Sequence, residues 1–447
     1  MIIKTLLVSQ LIYRFAVLPS PLPAQMKRID EIFNNYMWNN KKHFINKNIM
    51  INSLEEGGWD MIDIYSKNIS IKCKWIKKLV DPNASFLTNI ACYFVPDADK
   101  LFWSGNLKVS DGINLLKHKS MFWKSLIQAW CIYSFTVPNS CEEILNQQIW
   151  YNSFILMDKK PFLFKALYSK GIVCIKDIVK ENGQIMSAQE LKIKYDLNNN
   201  HTMLLNCLIG AVPQQWRHIL IDNYQNAIEN QTYTSNFQTA INSINTSKSV
   251  YLHLVKKKAQ SFPDRIINKW EQDMEQEFHL DRQFISNSFK QIITSTISPK
   301  HRAFQFRLIH RILVTNKSLY EWKIKEHNLC SFSNSEIETI YHLLWDCTIV
   351  QELWGNIFRW LQEKTQTNIM FSSKEILFGI ENNIFLMYNA IFIIVKQYIY
   401  AARCKNKIPN INEVINIIKY NIQVEKYIAT KNDKLMYHNN KWALLNI

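Results

Sequence analysis

The sequence predicts a mainly α-helical protein composed of two or three helical subdomains. Only 9 Gly and 11 Pro occur among its 447 residues, so few positions favour turns or kinks. The apolar fraction of 47% is typical of a globular chain that buries hydrophobic cores. Two capping-box patterns, Ser187 to Glu190 and Thr348 to Gln351, mark positions where helices begin. We therefore expect many helices and no large sheet.

Residues 1–130 are predicted to form the first helical region. Its expected helices are Lys4–Leu18, which a cluster of prolines terminates, Ala24–Trp38 and Ile64–Val80. The adjacent Gly57 and Gly58 predict either a backbone with positive φ or close approach, or an ordinary loop. Around Trp75, the lysines at 72, 74, 77 and 78 could contact nucleic acid, unless the tryptophan is buried and the lysines are only solvated.

Two further regions, 131–247 and 248–447, are expected to follow. The stretch Glu229–Lys248 is rich in Asn, Thr, Ser and Gln, which predicts a linker between them. The last region should contain a zinc-binding-like segment at 300–362 and a helical tail. A helix over 300–315 would place apolar residues on one side and Arg307, His310 and Arg311 on the other. We expect this helix to pack inward and to expose its cations.

The chain carries an excess of positive charge, which suits a polyanionic partner. Its net charge is +16, and residues 248–325 contain 15 basic and 7 acidic residues, so half of the excess lies in this stretch. The alternative is a basic face that only aids solubility, with arginines paired to acidic neighbours such as Glu321. We expect sequence-independent binding to RNA or DNA, centred on Lys256, Lys257, Lys258, Arg307 and Arg311.

The cysteines and apolar runs bear on the compartment. The nine cysteines are an odd number in a chain long enough to fold without disulfides, which favours a reducing nuclear or cytoplasmic setting. Gln10 and Arg14 interrupt the apolar N-terminal run, and Ile384–Val395 is too short for a bilayer, so no membrane association is expected. The sequence has no Gly-rich phosphate loop or hydrolase motif, so we expect no small-molecule substrate.

A cysteine and histidine cluster lies between residues 330 and 347. Cys330, Ser333, His342 and Cys347 are separated by two, eight and four residues. A cysteine at 333 would complete a closed tetrahedral zinc site, but a serine hydroxyl is a poor zinc ligand near neutral pH. The fourth ligand could then come from His327 or Asp346. The alternative is two half-buried cysteines and a core histidine without metal.

The residues that flank this cluster predict a break in a helix. His342 and Cys347 lie five residues apart, about 140° around an ideal helix, so both can face one ion only if the helix is interrupted between them. The Thr348 to Gln351 capping box would restart the helix just after the cysteine. An apolar stripe that includes Val350 and Trp354 then follows, which is typical of a packing helix. The segment is therefore expected to be a degenerate zinc knuckle followed by a helix.

The Cys330–Cys347 string and the helix that carries Trp354 resemble the zinc-binding segment near the C-terminus of reverse transcriptases from non-LTR (LINE-type) retrotransposons. Upstream, Gln10–Pro21 and Phe33–Trp38 are similar to the thumb region of that family. Residues of the tail, which are Phe378, Gly379, Lys396, Tyr398, Ile399, Arg403, Glu425, Lys441 and Trp442, are similar to the family's C-terminal tail. The resemblance implies binding of RNA or DNA and a bound zinc ion.

The sequence also departs from the family. Its polymerase needs two adjacent aspartates in the palm for two-metal chemistry, and no Asp-Asp pair occurs in this sequence. The resemblance further places the start of the chain within the thumb, without palm or endonuclease. We therefore expect a non-catalytic remnant that binds RNA or DNA without sequence preference, and no enzyme activity. The alternative is an inert helical product of a decaying gene.

Overall fold

The structure, a computed structural model, describes residues 6–40, 44–79, 85–95, 97–227, 243–274, 279–368 and 370–445. Helices dominate these residues. Their paired strands are Leu156–Met157 and Lys160–Pro161, which form one antiparallel hairpin. The prediction of a mainly helical protein is confirmed. None of the described helices has the length and apolar character that a membrane crossing needs.

Helices follow one another along the described part of the chain. Up to residue 227 they are α1 (Val8–Val17), α2 (Pro23–Trp38), α3 (Lys47–Met50), α4 (Ile64–Leu79), α5 (Ser85–Phe94), α6 (Ala98–Ser104), α7 (Val109–Asn114), α8 (Met121–Ser134), α9 (Cys141–Leu145), α10 (Lys165–Ser169), α11 (Ala188–Lys194), α12 (Thr202–Ala211) and α13 (Gln214–Ala227). From residue 243 they are α14 (Thr246–Lys258), α15 (Asp264–Asp273), α16 (Arg282–Ser295), α17 (Pro299–Ile309), α18 (Asn316–Glu321), α19 (Thr348–Thr365), α20 (Ser373–Phe378), α21 (Leu386–Cys404), α22 (Ile411–Lys431) and α23 (Leu435–Trp442). Short 3-10 turns lie at Leu54–Glu56, Ile175–Ile178, Asn199–His201 and Asn383–Phe385.

The chain divides into two compact units. Unit 1 comprises residues 1–41 and 62–258, and unit 2 comprises residues 42–61 and 259–447. The three regions expected from the sequence remain a prediction. Most of the expected linker at 229–248 lies outside the described residues, and α14 already begins at Thr246.

Unit 1 is built around α4, which packs against α1, α8 and α14. Its first core joins Ile76 of α4 to Trp130 and Leu254. A second core lies in the middle of the chain and includes Trp150 and Leu205. The helix α11 begins with the predicted capping box, because the Ser187 backbone N–H donates to the Glu190 carboxylate over 2.8 Å.

The basic and aromatic cluster on α4 is largely structural. Lys72 is fully buried, and its ammonium donates to the carbonyl of Leu18, next to the prolines that follow α1. Burial lowers the pKa of Lys72 to about 8. The Trp75 indole N–H donates to the Ala16 carbonyl over 2.8 Å. These contacts fix α1 on α4 and remove Lys72 from any nucleic-acid surface.

Unit 2 is centred on α21, which packs against α16, α17, α20 and α22. The loop before α4 belongs to this unit, and Gly57 adopts a φ of +80°, as one reading of the glycine pair predicts. A Cβ added at Gly57 would lie 2.9 Å from the Phe262 ring, and one at Gly58 would lie 2.1 Å from the Asn52 carbonyl oxygen. Gly57 is therefore favoured by its positive φ and by the close Phe262 ring, and Gly58 by the close approach of the Asn52 backbone.

The helix expected over 300–315 is shorter than predicted. It ends at Ile309, because Arg311 takes a left-handed φ of +55° and the chain turns. His310 does not share an outward basic face: it is buried, and its Nε2 lies 2.8 Å from the Gly57 carbonyl oxygen. Burial lowers the pKa of His310 to about 4, so the ring is neutral at neutral pH.

Candidate metal centre

Cys330 lies in a tight backbone turn. An antiparallel bridge pairs Leu329 with Ile337, and the Cys330 N–H donates to the Glu336 carbonyl over 2.7 Å. The Phe332 backbone N–H lies 3.4 Å from the Cys330 sulfur and points at it. A sulfur that accepts backbone N–H groups is stabilised as a thiolate, which is the form that binds metal.

His342 and Cys347 are brought together by a π-helical turn over His342–Asp346. The Cys347 N–H donates to the His342 carbonyl over 2.9 Å, an i to i+5 bond that widens the helix. Helix α19 then begins at Thr348, so the predicted interruption is confirmed. The predicted capping box at Thr348 is wrong, because Cys347 takes the N-cap position and Gln351 donates from its side chain to the Trp345 carbonyl instead.

Cys330, His342 and Cys347 converge in the interior of unit 2. Their ligand atoms lie within 4.8 Å of one another, and the two sulfurs are 3.8 Å apart. All three residues are buried. Sulfurs separated by more than about 5 Å could not share one zinc ion, since zinc to sulfur bonds are about 2.3 Å long. The spacing therefore permits a shared ion.

The two nitrogens of His342 have different surroundings. Nδ1 lies 3.0 Å from a Glu336 carboxylate oxygen and 3.3 Å from one of Asp346. Nε2 is buried and has no hydrogen-bond partner among the described residues. Carboxylates that accept a hydrogen bond from Nδ1–H leave the lone pair of Nε2 free to bind metal, which is the usual arrangement of a metal-bound histidine.

The pKa values follow from these contacts. The contact with Cys347 lowers the pKa of Cys330, and the same contact raises the pKa of Cys347. Burial alone would lower the pKa of His342, but the neighbouring Cys330 sulfur, together with Asp346 and Glu336, outweighs burial and raises this pKa. A metal ion that binds here would displace these protons, because it binds thiolate sulfur and neutral imidazole.

The structure does not bring the expected fourth ligand to this group. His327 is exposed, in the segment before the Cys330 turn, and it is not among the described residues whose ligand atoms converge. Asp346 faces Nδ1 of His342 rather than the sulfurs. Ser333 is half-buried, and its hydroxyl accepts a hydrogen bond from Ser335 over 3.0 Å. The donor set present is therefore two sulfurs and one nitrogen.

A buried ion pair anchors the Cys330 turn, and no motif of the sequence predicts this pair. The Arg403 guanidinium of α21 donates to Glu338 Oε1 over 2.8 and 3.0 Å. The other Glu338 oxygen accepts the backbone N–H of Ser331 over 2.7 Å. Arg403 also donates to the Asn316 side-chain oxygen over 2.7 Å. Only the tail resemblance had singled out Arg403, because its partner lies 65 residues away.

The residues expected to bind nucleic acid have different surroundings. Lys256 and Lys257 are exposed at the end of α14, whereas Lys258 pairs with Asp63 over 2.6 Å. Arg307 is exposed on α17. Arg311 is not presented outward, because it pairs with Asp273 and lies 4.5 Å above the ring of Trp270. The three lysines belong to unit 1 and the two arginines to unit 2.

One comparison with known proteins bears on this site. A family model described as zinc-binding in reverse transcriptase matches residues 246–354. The match includes Cys330, His342 and Cys347, and it extends to Trp354 of α19. The donor set fits zinc, because zinc binds cysteine sulfur and histidine nitrogen, and these three residues would supply three of its usual four ligands. Residues 246–354 are thus related to the zinc-binding region of reverse transcriptases.

Proposed function

We propose that this chain is a non-catalytic part of a LINE-type (non-LTR) reverse-transcriptase polyprotein that binds RNA or DNA without sequence preference. The observation that carries the proposal is the buried Cys330, His342 and Cys347 group within the matched segment. We place the protein in a reducing nuclear or cytoplasmic compartment, where its free cysteines stay available as ligands.

Zinc would be held by the two sulfurs and by Nε2 of His342. The ion supplies a cross-link between the Cys330 turn and the start of α19, and such a structural ion contributes directly to folding. Glu336 and Asp346 orient the imidazole for this role. Burial of all three ligands argues for a structural site rather than for one that reacts with substrate.

Nucleic-acid binding is supported by the net charge of +16 and by exposed cations. Lys256 and Lys257 are exposed at the end of α14, and Arg307 is exposed on α17. Lysine and arginine side chains that neutralise phosphates release counterions, so the affinity should depend steeply on salt and little on sequence. The absence of paired aspartates from the sequence supports a role without polymerisation.

The test is a titration of a labelled single-stranded RNA and an unrelated DNA of the same length, between about 50 and 200 mM salt. We expect similar affinities for both, which fall as salt rises. A Lys256→Ala/Lys257→Ala variant should bind both more weakly, whereas Lys170→Ala/Lys192→Ala, which removes the same charge from elsewhere in unit 1, should change little. Absence of binding by the wild-type protein at about 50 mM salt would support the alternative, an inert helical product.

A further inference from the structure

A cavity of about 380 Å³ lies in unit 2, apart from the metal group. Its walls come from α15, from the turn that follows α17 and from α18. The charged side chains that line it are Arg265, Lys269, Arg311, Lys317, Asp273 and Glu321. His310 also lines it but is neutral, because burial lowers its pKa to about 4. Cations therefore outnumber acids in the lining.

Three of these cations have no protein partner within the described part of the chain. Arg265, Lys269 and Lys317 are exposed, and none of their side chains makes a hydrogen bond or an ion pair with a described residue. Arg265 and Lys269 lie four residues apart on α15, so they project from the same face of that helix. Unpaired cations that converge on a concave surface attract an anion.

Arg311 forms the fixed part of this lining. Its guanidinium donates to Asp273 and, over 3.1 Å, to the Lys269 carbonyl, and it lies over the Trp270 ring. The left-handed φ of Arg311 is a conformation that glycine adopts at lower cost. Arg311 thus adopts a backbone conformation that costs free energy, and Asp273 and Trp270 hold its guanidinium in the cavity wall.

We propose that this cavity binds one unpaired nucleotide of a single-stranded RNA or DNA, with its phosphate at Arg265, Lys269 and Lys317. This inference rests on the proposed function and names one place where the protein would contact the nucleic acid. The volume is that of a small-ligand pocket, whereas a base pair in a duplex cannot enter a pocket without being disrupted. Phe44, which is 42% exposed, also lines the cavity and supplies an aromatic ring for a base.

The experiment compares variants of the full chain with a fluorescein-labelled 20-nucleotide single strand, as RNA and as DNA. Arg265→Ala/Lys269→Ala removes two cavity cations. Lys405→Ala/Lys419→Ala is the matched control, because both lysines are exposed in unit 2 and do not line the cavity. Asp273→Asn removes a negative charge from the cavity lining and tests whether the ligand is an anion. Competition with the same sequence as a duplex, and with adenosine monophosphate, distinguishes a strand from a free nucleotide.

On a single strand, each phosphate contact contributes about 0.7 to the slope of log affinity against log salt concentration. At roughly 50 mM salt, loss of one such contact therefore weakens binding about eightfold. The cavity variant should therefore bind roughly 60-fold more weakly, with a slope smaller by about 1.4. Asp273→Asn should bind more tightly, and the control pair should keep both the wild-type slope and most of the affinity.

Three results would overturn the inference. If the cavity variant binds the strand as tightly as the wild-type protein, the cavity does not contact the strand, and the proposed function is unaffected. Failure of the wild-type protein to bind any strand would reject the proposed function and this inference with it. Equal competition by the duplex, or competition by adenosine monophosphate at micromolar concentration, would show that the occupant is not an unpaired nucleotide of a strand.

Discussion

Replacing Arg403 by methionine removes the cation that faces the fully buried Glu338 carboxylate. The side chains of the pair are 9% and 0% exposed, and two guanidinium hydrogen bonds to Glu338 Oε1 would be lost. Removal of one partner from a buried pair costs about 3–5 kcal/mol, because the other charge stays desolvated. The Glu338 carboxylate still accepts hydrogen bonds from the backbone N–H groups of Asn316 and Ser331, so we expect the free energy of unfolding to fall by about 3 kcal/mol.

The assay is urea unfolding followed by circular dichroism. With a slope of about 2 kcal/mol per molar urea, the midpoint for Arg403→Met should fall by about 1.5 M. The additional substitution Glu338→Gln removes the unpaired buried carboxylate and should recover part of the lost stability. Arg359→Met, at an exposed arginine of α19, should cost less than about 0.5 kcal/mol. A cost for Arg403→Met below about 1 kcal/mol would refute this reasoning.

Three other predictions concern the site and the fold. Ser333→Cys should tighten zinc binding in a competition with a chromophoric chelator; an unchanged affinity would show that residue 333 does not reach the ion. The pKa of His310 is about 4 in the folded protein and about 6.5 in the unfolded chain, so unfolding takes up a proton between these pH values. The free energy of unfolding should therefore fall by up to about 3 kcal/mol as the pH drops from 6.5 to 4. The His310→Gln variant should lose less over that range, as measured by urea unfolding at each pH. The purified chain should not extend a primer with magnesium or manganese, and robust extension would contradict a non-catalytic role.

The sequence predicts the local features of this fold well. The prolines after α1, the glycine pair at 57 and 58, and the Ser187 capping box each act on neighbouring backbone, and the structure contains all three features. The spacing of Cys330, His342 and Cys347 is also local, so the need for a break before Thr348 follows from helix geometry alone. Helical periodicity likewise predicts the buried stripe of α19.

Features that depend on distant residues could not be predicted in this way. His310 is buried because it meets the carbonyl of Gly57, which lies 253 residues earlier in the chain. Periodicity instead placed it with Arg307 and Arg311 on an exposed face. Arg311 is held by Asp273, an acidic residue on another helix. A single sequence contains no record of such long-range pairings, because periodicity reports only which face of one helix is apolar.

The central claim is that Cys330, His342 and Cys347 hold one zinc ion. X-ray absorption at the zinc edge of the protein purified under reducing conditions tests this claim most directly, with metal content measured on the same sample. We predict one zinc per chain, with two sulfurs at about 2.3 Å and at least one nitrogen at about 2.0–2.1 Å. Zinc-free protein, or bound zinc without sulfur ligands, would contradict the account.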